Sequence, residues 1–317
     1  MRERSSARLA NVERLRLVAM FEIVAFHVSE QRLPVVAGLG LPVFLLLNNA
    51  FNCTLAERMG TRPFLNTKVS RLLLPWLLWN VLYLALVLAE RWRHEEPLSY
   101  GLSFLTLLGG TYEHLWFVPF ALLGALIIAG LQAQTRALSQ GWMCALGLAV
   151  GVGVTLASAW LLAPGRIEWP WLQWLFALPA VPFGFGLGRA LLATDRRVRT
   201  RLAWLAAATA LGCLAAGLAW GLGVVWGWPM PEEMLRRYAV SMALVSLSFV
   251  WPGVSDRFSL RLTPLLFGVY LSHPLVVRLY QATHLPELPL VIYAALVFGV
   301  SALLVALLKR SPLRFLV

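Results

Sequence analysis

The chain alternates long apolar stretches with short charged or Pro-containing breaks. The apolar stretches fall near 12–29, 34–56, 69–90, 114–132, 141–163, 171–192, 202–226, 234–251, 262–281 and 287–308. Each is close to the ~20 residues an α-helix needs to cross a bilayer. The pattern predicts an all-α fold, a polytopic membrane helix bundle of about ten transmembrane helices forming a single membrane-embedded domain over 1–317. An even number of crossings puts both termini on one side. The connection 91–113 contains PLSYGLSFLTLLGGT, whose apolar part is too short to span and is expected to lie in the interface or to re-enter.

Composition agrees with this reading: 59% of the residues are hydrophobic and 13% charged, with mean hydropathy +0.72, against about one quarter charged in a soluble domain. The net charge of +12 does not imply nucleic acid, because membrane proteins concentrate Arg and Lys in cytoplasmic loops. Sorting the breaks alternately puts Arg2, Arg4, Arg8, Arg14, Arg16, Arg58, Arg62, Lys68, Arg71, Arg136, Arg189, Arg196, Arg197, Arg199, Arg201, Arg257, Arg261, Lys309, Arg310 and Arg314 on one side, 20 of the 27 basic residues. Glu30, Glu90, Glu95, Glu96, Glu113, Glu168, Glu232, Glu233 and Glu287 fall on the other. The positive-inside rule then makes both termini cytoplasmic. Trp76, Trp92, Trp116, Trp169, Trp171, Trp226 and Trp228 lie near helix ends, as an aromatic belt requires. Cys53, Cys144 and Cys213 show no metal or disulfide spacing, so packing roles and no metal are expected. The basic, apolar N-terminus reads as an uncleaved first helix, since Glu22 and His27 interrupt it.

Candidate chemistry sits where polar residues break the apolar pattern. The first stretch, RLRLVAMFEIVAFHVSE, carries Glu22 and His27 at positions that would otherwise face lipid. Ionisable groups there face a partner, a cavity or a site. Arg16 and His27 are eleven residues apart, which puts them within about 20° on one helix face and roughly 16 Å apart along the axis. His27 suits either an interhelical hydrogen bond or proton transfer near neutral pH. Glu22 lies about 140° round from His27, so its expected partner is on another helix. Lys68 and Arg71, in NTKVSRLLLPW, share a face at the start of the third span, as a phosphate clamp or as a topogenic cluster. Glu113 and His114 begin TYEHLWFVP beside Trp116, at the outer end of the fourth span. His273, in GVYLSHPLVV, is followed by Pro274, which is expected to bend its helix and release polar backbone beside the imidazole. Asn48, Asn49 and Asn52 read first as interhelical hydrogen-bonding groups.

Together these motifs resemble the acyltransferase-3 (acyl_transf_3) membrane proteins, which O-acylate envelope glycans and other acceptors. VERLR followed by LVAMFEIVAF and His27 is similar to that family's first helix, and Lys68-Val-Ser-Arg71 looks like its basic pair after the second helix. HLWFVP and YLSHP resemble two further family segments, so the likeness spreads over 11–274. Glu13 stands where the family has Asp, Lys68 where it has Arg, and Asn49-Ala50-Phe51 where it has Ser-Gly-Phe.

The resemblance implies a stand-alone membrane O-acyltransferase without an appended esterase-like domain, in the bacterial inner (plasma) membrane. The donor would be acetyl-CoA or another acyl-CoA, with its phosphates held by Arg16, Lys68 and Arg71. His27 would act as general base or nucleophile. His114 and Glu113 would assist it, with His273, Trp116 and Asn49 lining the substrate cavity. The acceptor would be a carbohydrate or lipid-linked glycan at the outer side. The competing expectation is a proton-coupled transporter or flippase using the same intramembrane His and Glu, with the basic cluster serving only topology.

Overall fold

A computed structural model describes residues 2–29, 38–95, 104–162, 166–193, 195–221, 232–251, 257–283 and 288–317. Among the described residues the regular structure is helical, with no strand. In chain order the helices are α1 (Arg2–Val28), α2 (Gly40–Met59), α3 (Thr61–Arg93), α4 (Phe104–Gly109), α5 (Phe117–Thr135), α6 (Gln140–Leu162), α7 (Trp171–Ala177), α8 (Ala180–Leu192), α9 (Arg196–Gly221), α10 (Glu232–Val250), α11 (Arg257–Leu262), α12 (Leu266–Ala282) and α13 (Leu290–Arg310). Each of the ten stretches read from the sequence is largely helical where described. The sixth is broken into α7 and α8 at Leu178-Pro179, and α11, a 3-10 turn and α12 run through the ninth.

Seven helical stretches are long and apolar enough to cross a membrane by themselves: 61–93, 113–135, 140–162, 171–192, 196–219, 257–282 and 290–310. The remaining long helices, α1, α2 and α10, carry Glu13 and Glu22, Asn48 to Asn52, or Arg236 and Arg237. They contact one another. The short α4 accounts for the described end of the connection expected to be interfacial; 96–103 lie outside the described residues, as do Glu30, Glu96, Glu287, Trp226 and Trp228, and nothing is described of the Glu232 and Glu233 side chains.

The central element is α2, which packs against α1, α3, α5, α8 and α10. Its close approach to α8 depends on small residues: a Cβ on Gly184 would stand 2.4 Å from Asn49 Cβ, and one on Gly188 would stand 2.4 Å from Cys53 Cβ. Backbones brought this near gain dispersion contacts that lipid tails do not supply. Asn49 and Cys53 therefore face α8, with Asn49 Nδ2 donating to the Ala180 carbonyl at 3.2 Å.

Glu22 answers the first question the sequence raises. Its carboxylate leaves α1 to accept the backbone N–H groups of Gly38 and, at 2.7 Å, of Gly40. Gly40 opens α2 and Gly38 lies two residues before it, so a carboxylate from α1 caps the positive end of α2. Gly40 is obligatory there: a Cβ would stand 2.3 Å from the Ala19 carbonyl oxygen and 2.2 Å from Glu22 Oε2.

Two sequence expectations need correction. Arg189, sorted with the cytoplasmic loop charges, is fully buried in α8. Its guanidinium donates to Gln132 Oε1 at 3.2 Å and to the Thr135 and Leu138 carbonyls at 3.1 and 2.8 Å, closing the C-terminal end of α5. Trp76 and Trp116 do not join an interfacial belt; both are buried, and Trp76 Nε1 donates to the Leu115 carbonyl at 3.0 Å. Trp92 and Trp171 are exposed as a belt requires.

Candidate active site

Three histidines from three elements meet in the bundle. His27 comes from the last turn of α1, His273 from the middle of α12, and His114 from the 3-10 turn Glu113–Trp116 that leads into α5. The ring centroids of His27 and His273 are 4.9 Å apart, and those of His273 and His114 5.5 Å. The sequence separations gave no sign of this meeting.

The backbone sets the tautomers. His27 Nδ1 lies 2.8 Å from the Ile23 carbonyl oxygen, and His273 Nδ1 lies 2.8 Å from that of Tyr270 and 3.2 Å from that of Val269. A carbonyl oxygen only accepts, so in each neutral ring Nδ1 carries the proton and Nε2 keeps its lone pair. Pro274 explains the second arrangement. Without an amide hydrogen it cannot bond the carbonyl four residues earlier, which is Tyr270, and His273 takes that acceptor. His114 is boxed by the rings of Tyr83, Tyr112 and Tyr270 at centroid distances of 5.2, 5.6 and 5.4 Å. The Tyr270 hydroxyl donates to the His114 carbonyl, and neither His114 ring nitrogen has a hydrogen-bond partner among the described residues.

Beside the histidines opens a cavity of about 250 Å³ lined by His27, His114, Glu113, Trp116 and Tyr270 together with Glu22, Gly38, Gln173, Phe176 and Arg237. Glu113 is exposed at its rim, while His114 and Trp116 are buried in its wall. His273 is fully buried behind His27 and is not part of the lining. Asn49 does not line it either, because it faces α8.

Further along α1, toward its N-terminus, a second cavity of about 410 Å³ is lined by Glu13, Arg16, Phe44, Asn48, Leu72, Phe117 and residues of the α11–α12 segment. An adjoining one of about 270 Å³ adds Phe51, Leu55 and Lys68. Arg16 pairs with Glu13 at 3.3 Å. Lys68, a turn before the apolar run of α3 that begins at Leu72, is pushed down to about 8 by burial and by the positive charges of Arg16 and Arg71. Arg71 is exposed beside it and is not in the lining. A part-buried lysine with two further cations close enough to be felt forms a site that gains from an anion. Asn48, one position from the predicted Asn49, is the α2 asparagine in this lining.

Between the two spaces lie aromatic rings. Phe44 contacts Phe117 at 5.7 Å, Phe117 contacts Tyr270 at 5.1 Å, and Tyr270 contacts His114. Phe44, Phe117, Tyr270, Gln173 and Arg237 were all missed in the sequence. An aromatic or a helix-end arginine in an apolar run reads as packing or topology until its neighbours are known.

No curated protein and no solved structure matches the chain. A family model does: Acyl_transf_3, described as an acyltransferase domain, matches residues 9–310 of the 317. That span takes in both cavities and all three histidines, and it favours group transfer over proton-coupled transport. The chain belongs to the acyltransferase-3 family of integral membrane acyltransferases.

Proposed function

We propose that the protein transfers an acyl group, acetyl in the simplest case, from cytoplasmic acyl-CoA to a hydroxyl of an envelope glycan or glycolipid at the outer side of the inner membrane. The observation that carries this reading is the pair of spaces at opposite ends of one helix face: a cation-lined cavity at Arg16 and Lys68, and an imidazole-lined cavity at His27. The donor's phosphates stay with Arg16, Lys68 and Arg71. Its extended arm covers the roughly 16 Å rise along α1 and passes the Phe44–Phe117 contact to bring the thioester to His27.

His27 Nε2, unprotonated and facing the cavity, takes the proton of the acceptor hydroxyl as that oxygen attacks the thioester carbonyl. Collapse of the tetrahedral intermediate breaks the C–S bond, and the proton passes from His27 to the departing CoA sulfur. Attack by His27 Nε2 itself, through an acyl-imidazole, uses the same geometry and gives the same products. His114 and Glu113 stand where they steady developing charge. His273 fixes the depth of His27 by ring contact.

The test is acetyl-CoA turnover by the purified protein in lipid nanodiscs, read as free thiol. His27→Ala is expected to lower turnover by about 10²–10⁴-fold, the usual contribution of a general base. Full turnover in that variant, in protein that remains folded, would sink the assignment.

A further inference from the structure

The part of the histidine cavity's lining formed by Arg237, Gln173 and Phe176 has no part in the chemistry described so far. We propose that Arg237 and Gln173, with the rings of Trp116 and Phe176, form the acceptor seat, and that it takes one neutral sugar ring. This rests on the reading of the protein as an acyl-CoA-dependent transferase and deepens it.

Size comes first. At about 250 Å³ the cavity falls below the ~300–1,000 Å³ of sites for drug-sized ligands, which leaves room for a single ring with the rest of the acceptor outside. Its chemistry is that of a polyol site. Phe176 and Trp116 offer apolar faces for the C–H surface of a sugar. Arg237 offers a fixed fork of N–H donors, with its guanidinium 5.9 Å from the Phe176 ring centre and packed so closely over Gly38 that a Cβ there would stand 2.5 Å from it. Gln173 Oε1 is buried with no hydrogen-bond partner among the described residues, an acceptor that a hydroxyl satisfies.

Charge selects against an anionic ring. Arg237 is electrostatically coupled to Glu22, whose carboxylate also caps α2, and Glu113 stands at the rim. Among the described residues of the lining, these two carboxylates stand against the one arginine. A uronic acid or a phosphorylated sugar adds a further negative charge to this wall, whereas a neutral ring accepts from Arg237 and donates to Gln173 at no charge cost. Seated there, the ring shares the cavity with His27, to whose Nε2 it presents a hydroxyl.

The experiment uses full-length protein in nanodiscs with acetyl-CoA and a panel of methyl glycosides. The panel holds neutral hexosides, N-acetylhexosaminides and 6-deoxyhexosides together with methyl glucuronide. Thiol release and the mass of the acylated glycoside are both followed. The expected result is acylation of at least one neutral glycoside, with methyl glucuronide at least tenfold poorer. Arg237→Ala and Gln173→Ala should each raise the glycoside KM tenfold or more, with kcat within threefold and the acetyl-CoA KM unchanged. Gln173→Ala guards against a folding artefact, since Gln173 lies on α7, away from the Glu22 cap. Three results overturn the seat: equal use of the glucuronide, an effect of both variants on kcat with the glycoside KM unmoved, or acetyl-CoA consumption with no neutral glycoside acylated. Absence of any acetyl-CoA binding or turnover would instead overturn the transferase reading beneath it.

Discussion

At the residue scale, the proposed donor site turns on a lysine made weak by burial and by its company. Lys68 is held down to about 8 by burial and by Arg16 and Arg71, and an approaching phosphate favours its charged form. Its proton is present below about pH 8 and lost above it, so phosphate binding weakens as pH rises through that value. The acetyl-CoA KM is expected to climb between pH 7 and 9, and Lys68→Arg, which stays protonated throughout, should flatten that profile. A wild-type KM that does not move over this range would remove Lys68 from the donor site. The alignment of Arg16 with His27 was legible in the sequence because an eleven-residue spacing closes three helical turns. The meeting of His27 with His273 and His114 was suggested only by the family resemblance, since periodicity says which residues share a face but not which face meets which helix. The shift from Asn49 to Asn48 has the same origin, one residue being worth about 100° of rotation.

At the element scale, α2 is held at its N-terminus by α1. Glu22 supplies the acceptors that the first N–H groups of α2 need, and Gly40 permits the approach that makes this possible. The sequence announced Glu22 as an ionisable residue with a partner elsewhere. It could not announce a partner made of backbone, because main-chain N–H groups leave no mark in the residue pattern. Gly40→Ala puts a methyl carbon against the Ala19 carbonyl and the Glu22 carboxylate, and overpacking of this kind costs about 1–3 kcal/mol. The expected outcome is a lower unfolding temperature in nanodiscs, together with a loss of turnover as His27 and the α2 wall of the donor cavity shift apart. Gly130→Ala, with nothing within 4 Å of its Cβ position, is the control and should leave the unfolding temperature unchanged or slightly raised. Equal stability of the two variants would show that the α1–α2 junction tolerates displacement and is not the fixed point inferred from its contacts.

At the scale of the whole molecule, the two cavities give the bundle a direction, and charge gives that direction a sense. Seven stretches are apolar enough to span alone, while α1, α2 and α10 give up apolar character to build the cavities and need the others around them. That is why spans were legible from hydropathy and the site from its interruptions. If all ten cross, the α5–α6 turn lies with both termini and the cation-lined cavity, and the end of α3 lies with the histidine cavity. Single cysteines test this. Cys53 and Cys144 are buried, so a Cys213→Ser background should leave only the introduced thiol reactive. His94→Cys, exposed at the end of α3, is expected to react with a membrane-impermeant maleimide in osmotically permeabilised cells whose inner membrane is intact. Ala137→Cys, exposed in the α5–α6 turn, should react only after that membrane is broken. The reverse pattern would put the basic cavity outside and the histidines inside, separating the phosphate site from the compartment that holds acyl-CoA. The same accessibility at both positions would mean that α5, the one span-length helix between them, does not cross, and the alternation of sides along the chain would break there.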